Sequence, residues 1–176
     1  ALGFKLPMRT HSKRALAWLE ANGDKGTVAL DTGMGKTVTA LASMMNLIQR
    51  GAAGSARFLF VCDTDLLGNF PKEVRKFMRP KDAQALLGRV DVISYTKFNK
   101  SRREDPNFGE DYAAIYFDEA HKRMVRRTQA AYQAAVNCRT RKVLLTASPC
   151  VKSPVESFTL ASVANGLDLN LPENRE

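Results

Sequence analysis

Thr27-Val-Ala-Leu-Asp-Thr-Gly-Met-Gly-Lys-Thr37 is a short apolar run, a glycine-bearing turn and the opening of a helix. A strand that feeds a tight turn into a helix N-terminus points backbone N–H groups and the positive end of the helix dipole at one spot, where a polyphosphate binds. Gly33 and Gly35 let the backbone close around phosphate oxygens, so Thr32, Gly33, Met34, Gly35, Lys36 and Thr37 form the candidate nucleotide-binding set. Lys36 is placed to reach the β- and γ-phosphates, and the Thr37 hydroxyl to hold a magnesium ion. Leu30 stands where the full phosphate-loop pattern has glycine. The competing reading is a plain strand-turn-helix with a chance Gly-Lys-Thr.

Outward from this stretch, apolar runs and helical periodicities alternate. Met8 to Glu20 keeps Ala15, Leu16, Trp18 and Leu19 at helical spacing and ends near Asn22-Gly23, which favours a left-handed cap. Thr27 to Leu30 is the first strand and Lys36 to Gln49 the first long helix, stopped by the small Gly51 to Ser55 segment. Phe58 to Val61 is continuously apolar, as in a parallel strand buried on both faces. A helix from about Leu66 to Met78 follows, with Pro71 suited to its first turn. Val90 to Ser94, Ala113 to Phe117 and Lys142 to Leu145 are further strands. Ser101 to Gly109 is a polar loop, and Thr128 to Val136 and Pro154 to Ala164 can be helical. Strands alternating with helices indicate an α/β fold, a mainly parallel sheet flanked by helices, with functional residues at the C-terminal strand ends.

At 176 residues, 44% of them hydrophobic, the chain suits one domain with a single core, here residues 1–176. No apolar run is long enough to span a membrane and the N-terminus lacks a secretory pattern, so a cytoplasmic or nuclear location and no membrane partner are expected. Cys62, Cys138 and Cys150 show no CxxC pair, and His11 and His121 are the only histidines, which supports neither a disulfide framework nor a zinc site. Lysine and arginine outnumber acids 27 to 18, a net charge of +9, which by itself suits a polyanionic partner such as nucleic acid and a merely solvated basic surface about equally, and it is their clustering that tilts the balance to the former. The cations cluster after strands, at Lys72, Arg75, Lys76, Arg79 and Lys81, at Lys97, Lys100, Arg102 and Arg103, and at Lys122, Arg123, Arg126 and Arg127.

Asp118 and Glu119 end the apolar Ala113 to Phe117 strand, where carboxylates are costly unless something pairs with them. A magnesium ion on Thr37 supplies that partner: Asp118 holds the ion, and Glu119 orients or deprotonates the water that attacks the γ-phosphate. Lys36, Asp118 and Glu119 are thus the candidate catalytic residues, and Thr37 and Asp118 the metal ligands. An incidental acid pair at a helix N-terminus is the alternative.

The order Gly33-Met-Gly-Lys-Thr37, Asp118-Glu-Ala-His121, Thr146-Ala-Ser-Pro149 resembles motifs I, II and III of the superfamily-two helicases and DNA translocases. Val61-Cys-Asp-Thr-Asp-Leu-Leu67, Phe70 with the basic Lys72 to Lys76 segment, Ser94-Tyr95 and Glu156 make the likeness closer to Swi/Snf-type translocases and restriction-system motors. It extends from about Met8 to Ala164. The resemblance implies a RecA-like P-loop NTPase lobe, ATP with Mg2+ as cofactor, double-stranded DNA as partner, and a second RecA-like lobe that completes the site. It implies that His121, Thr146, Ala147 and Ser148 couple the ATP site to the nucleic-acid loops. By it, Asp63 to Leu67, Thr64 among them, and Ser94 to Thr96, with Tyr95, contact phosphates; Arg126 and Arg127 are candidates to join them through their basic cluster, which a solvated face would also explain. The family's adenine-reading glutamine falls near Ser12, and no second-lobe arginine motif is present. The resulting expectation is one ATP-binding lobe of an ATP-dependent helicase or translocase, inactive as a hydrolase by itself. The alternative is a nucleotide- and nucleic-acid-binding interaction module without turnover; an intact Glu119 argues for hydrolysis, and a small-molecule kinase leaves Thr146 to Pro149 without a role.

Overall fold

The computed structural model describes residues 3–51, 56–148 and 153–167. Pro149, Cys150 and most of the Gly51 to Ser55 segment therefore lie outside the described residues.

Five strands, β1 (Gly26–Ala29), β2 (Phe58–Cys62), β3 (Val90–Ser94), β4 (Ala114–Phe117) and β5 (Lys142–Thr146), form one sheet in the order β1-β5-β4-β2-β3. Every pairing is parallel. The apolar runs are continuous because both faces are covered. Phe58, Phe60 and Cys62 pack with α1 (Thr10–Ala21), α2 (Lys36–Gln49), α3 (Asn69–Phe77) and α4 (Pro80–Leu87), while Leu59 and Val61 pack with α5 (Tyr95–Glu104), α6 (Ala130–Val136) and α7 (Pro154–Asn165). Side chains that alternate across a strand thus feed two cores, and β2, β4 and β5 are buried throughout while the edge strands β1 and β3 are partly exposed.

The last strand in sequence, β5, is inserted between β1 and β4. This places the end of the glycine-bearing strand and the end of the Asp118 strand on either side of Thr146, with Ala29 in register with Thr146 and Phe117 with Leu144. A crevice at a change of strand order, beyond the C-terminal strand ends, is where ligands bind in such sheets.

Three elements depart from the sequence reading. The helix expected from Leu66 to Met78 is a short 3-10 turn at Thr64–Leu66 and then α3, with Pro71 in the first turn of α3. Helices α4 and α5 occupy stretches read as connection and loop, α5 taking Ser101 to Glu104 from the expected polar loop. Pro80 opens α4 at its first position, where its missing N–H costs nothing. The α5 sequence is polar, and only Tyr95 and Phe98 are buried, so hydrophobic periodicity gave little signal. Its start is fixed by the Ser94 hydroxyl, which accepts from the Lys97 N–H at 3.2 Å.

At the opposite sheet edge, Lys142 begins β5 with 2% exposure. Its ammonium donates to the Cys138 carbonyl just beyond α6, so a helix C-terminus compensates the cation. Burial pushes this amine from 10.5 down to about 8, and Arg102 and Lys25 push the same way. A base whose folded pKa is lowered releases its proton first in the folded state, so its contribution to stability improves as pH rises from about 8 towards 10.5. Any stability advantage of Lys142→Met over wild type should accordingly shrink across that interval in urea titrations. A difference between the two proteins that stays flat with pH would contradict this assignment.

Candidate active site at the C-terminal strand edge

Gly33 and Gly35 sit at φ +78° and +95°, the left-handed region in which side chains other than glycine are strained. At Gly35 space is also short: a Cβ would lie 2.7 Å from Ser12 Oγ. Ser12 is itself buried, and its hydroxyl donates to the Met34 carbonyl at 3.4 Å. Arg9 Nη1 donates to the Gly33 carbonyl at 3.3 Å. The serine and arginine of the α1 segment therefore buttress the loop, a role the sequence reading did not assign. The place where a base-reading amide was sought holds a loop support instead.

Gly35 is the N-cap of α2, so Lys36 and Thr37 are its first two residues. The Lys36 ammonium donates to the Leu30 carbonyl at 3.3 Å and stands 3.4 Å from Glu119 Oε1. Leu30 thus contributes through its backbone carbonyl, and it is not among the residues at positive φ where glycine would be needed. Asp118 follows β4 and lines, with Thr37, one cleft of about 330 Å3. Its Oδ1 accepts from the Glu119 N–H at 3.0 Å, and its own N–H donates to Val61 at 2.8 Å. Glu119 adopts φ 49°, ψ 42°, a left-handed conformation uncommon for this residue type and held here by its surroundings.

Burial raises the Asp118 carboxyl above its usual range, and Glu119 raises it further. The Asp118 carboxylate shares its cleft with Thr37, and the burial and like charge that raise it are what a divalent cation would relieve, so Thr37 and Asp118 fit magnesium. Burial and Asp118 push the neighbouring Cys62 thiol up to about 11, which leaves it protonated and unreactive at neutral pH.

His121 Nδ1 lies 3.5 Å from Glu119 Oε2 and 2.9 Å from Thr146 Oγ1. The Ser148 N–H donates to the same threonine oxygen at 3.1 Å. Lys36, Thr37, Asp118, Glu119, His121 and Thr146 are therefore one group, drawn from the ends of β1, β4 and β5. Ala147 and Ser148 are half-buried at the end of β5.

The nucleic-acid candidates divide. Thr64 and Arg126 are exposed and Arg127 is half-buried. Tyr95 is 4% exposed, and its hydroxyl donates inward to the Asp118 carbonyl at 2.7 Å. The expected contact of Tyr95 with phosphates is corrected by this burial. Ser94 spends its hydroxyl on the α5 cap. In the basic clusters Arg102 also turns inward, with Nε 3.0 Å from the Ala134 carbonyl and Nη1 3.1 Å from that of Phe108. Gln129, which drew no attention in the sequence, braces the Lys122 to Arg127 loop by accepting from the Arg126 N–H at 2.9 Å and donating to the Lys122 carbonyl at 3.1 Å.

Comparison with known proteins matches residues 5–150 to the family described as type III restriction enzyme, res subunit. No curated protein matches the chain. Among solved structures, the Sulfolobus solfataricus SWI2/SNF2 ATPase core in complex with double-stranded DNA is similar at TM-score 0.70 and 18% identity, over 94% of this chain and 36% of that one. The Pyrococcus furiosus Hef helicase domain is similar at TM-score 0.68 and 19% identity, over 92% of this chain and 36% of that one. The chain thus spans about a third of the length of these two structures.

Proposed function

This chain belongs to the type III restriction enzyme res-subunit family and is an ATP-binding, RecA-like first lobe of a superfamily-two helicase or translocase, and from that premise we propose that it hydrolyses ATP when joined to a second lobe and couples the hydrolysis to movement on double-stranded DNA. The observation that carries the reading is the 3.4 Å approach of Lys36 to Glu119 across the ends of β1 and β4. Those two strands are not neighbours, so the pair exists only because β5 lies between them.

Lys36 and the N–H groups of the Gly33 to Thr37 turn hold the β- and γ-phosphates. Thr37 and Asp118 hold magnesium, which when bound neutralises charge on the phosphate oxygens. Glu119 takes a proton from the attacking water or orients it. His121 moves with Glu119 and passes its position to Thr146 and the end of β5. Lys36 and Glu119 pair at 3.4 Å beside the turn proposed to hold the γ-phosphate. A phosphate therefore replaces the carboxylate as partner of the lysine and frees Glu119 for water. Lys36→Ala removes the ground-state phosphate contact and should abolish ATP binding, measurable with a fluorescent ATP analogue. Unaltered affinity in that variant counts against this site.

The DNA assignment is supported by the +9 charge, by the exposed Lys122, Arg123 and Arg126, and by the duplex bound to the Sulfolobus core. Binding to a duplex should weaken steeply with salt, because each neutralised phosphate releases condensed counterion. Arg126→Ala and Arg127→Ala should each lower the slope of log K against log salt by about 1 where the side chain meets a phosphate. A slope that neither substitution changes leaves this basic stretch a solvated face. Among the described residues no helix is long and apolar enough to cross a membrane.

A further inference from the structure

The loops after three neighbouring strands, β4, β2 and β3, are tied together by one guanidinium and one phenol. Arg123 lies two residues beyond His121. Its Nε is 2.9 Å from Asp63 Oδ1, and its Nη2 meets the same oxygen. The guanidinium carbon stands 5.9 Å from the centre of the Tyr95 ring, within reach of a cation–π attraction. That ring stacks on Phe117 with centroids 6.2 Å apart, and its hydroxyl donates to the Asp118 carbonyl at 2.7 Å. Asp63 in turn begins the Thr64–Leu66 turn, its carbonyl accepting from the Leu66 N–H at 2.9 Å. Tyr95 is the first residue of α5.

We propose that Arg123 and Tyr95 are positioning residues that carry the state of Asp118 to the Thr64–Leu66 turn and to the start of α5, forming a coupling arm separate from the His121–Thr146 contact. The proposal rests on the reading of the ATP site given above. Its physical basis is that neither residue can follow a moving partner independently. Tyr95 is buried, so breaking its bond would leave its hydroxyl without that acceptor inside the fold. Arg123 holds a carboxylate through two nitrogens while lying over the same ring, so a shift of Tyr95 is felt at Asp63. The first arm joins β4 to β5, on the side of the glycine-bearing strand. This second arm joins β4 to β2 and β3, the side on which Thr64 and the Lys97 cluster lie. Phosphate contacts at those loops therefore do not need Tyr95 itself at the surface; the residue works from beneath.

Amide hydrogen exchange on this chain tests the arm, with segments 63–67 and 94–97 followed in the presence and absence of saturating magnesium and a non-hydrolysable ATP analogue. In wild type, nucleotide should slow exchange severalfold in both segments. Tyr95→Phe, which keeps the ring and loses only the hydroxyl, should bind nucleotide with wild-type affinity yet lose the response in both. Arg123→Gln should lose it at 63–67 and keep it at 94–97. A merely structural pin would alter exchange in the free protein without altering the response to nucleotide. Wild-type responses in both variants, or bound nucleotide that changes neither segment in wild type, would overturn the proposal. Failure of the ATP-site reading is distinguishable, because it shows as nucleotide affinity that Lys36→Ala does not change.

Discussion

Glu119→Gln, introduced into a protein carrying both lobes, is expected to cut ATP turnover by about 10²–10⁴-fold, the range for loss of a positioned general base, while ATP still binds. The amide keeps the size of the side chain and removes both its charge and its capacity to take a proton. One Glu119 oxygen faces Lys36 at 3.4 Å and the other faces His121 at 3.5 Å. Removing the carboxylate therefore frees Lys36 for phosphate, so ground-state binding should hold or tighten as kcat falls. An interaction made only in the transition state has this signature, in contrast to the binding loss expected of Lys36→Ala. Steady-state kinetics with a separate binding measurement reads both quantities. Wild-type turnover by the glutamine variant would remove Glu119 from its role.

The second large effect concerns completeness. The 176-residue chain alone should turn over ATP negligibly even with saturating DNA, and supplying the second lobe, in cis or in trans, should raise the rate by about 10³–10⁵-fold, the range for an arginine that stabilises transferring phosphoryl charge. The groups assembled at the site come from the ends of three strands of one sheet, so they approach a bound nucleotide from one side. An open site also leaves water around the phosphates, where the same charges act through a higher dielectric and stabilise the transition state less. Phosphate release by the chain, with Lys36→Ala as control, is the assay. Robust release that the substitution removes would mean that one lobe holds a complete site.

Much of this was legible in the sequence because each motif ends a buried strand, and buried strands are short apolar runs that composition makes visible. Phe58 to Val61 and Ala113 to Phe117 identify themselves in this way, and the residues that follow them are then placed at one sheet edge by parallel topology. What pattern could not show was the partner of each side chain. The resemblance offered Tyr95 as a phosphate contact, and a strand end looks the same in sequence whether the ring points out or in. Only the packing of Phe117 and the carbonyl of Asp118 decide it. Arg123 reads as one more surface cation in a basic run, and its fork on Asp63 depends on two loops sixty residues apart in sequence. Ser12 stood out in the sequence only as the place of a missing glutamine, and its task of filling the space that Gly35 leaves had no signal there. Helix α5 was missed for a related reason: its sequence is that of an exposed polar strip, and the capping serine was read as a ligand contact.

The most direct test of the central claim, that ATP with magnesium binds where β1, β5 and β4 end, is backbone NMR shift mapping on this chain titrated with magnesium and ATP, in wild type and Lys36→Ala. The account predicts magnesium-dependent shifts centred on residues 32–37 and on Asp118 and Glu119, absent in the variant. The other end of the sheet offers a contrasting destination, a cleft of about 670 Å3 lined by Lys25, Arg139, Arg141 and Lys142. Shifts centred on that cationic cleft, or shifts around residues 32–37 that survive Lys36→Ala undiminished, would contradict the account.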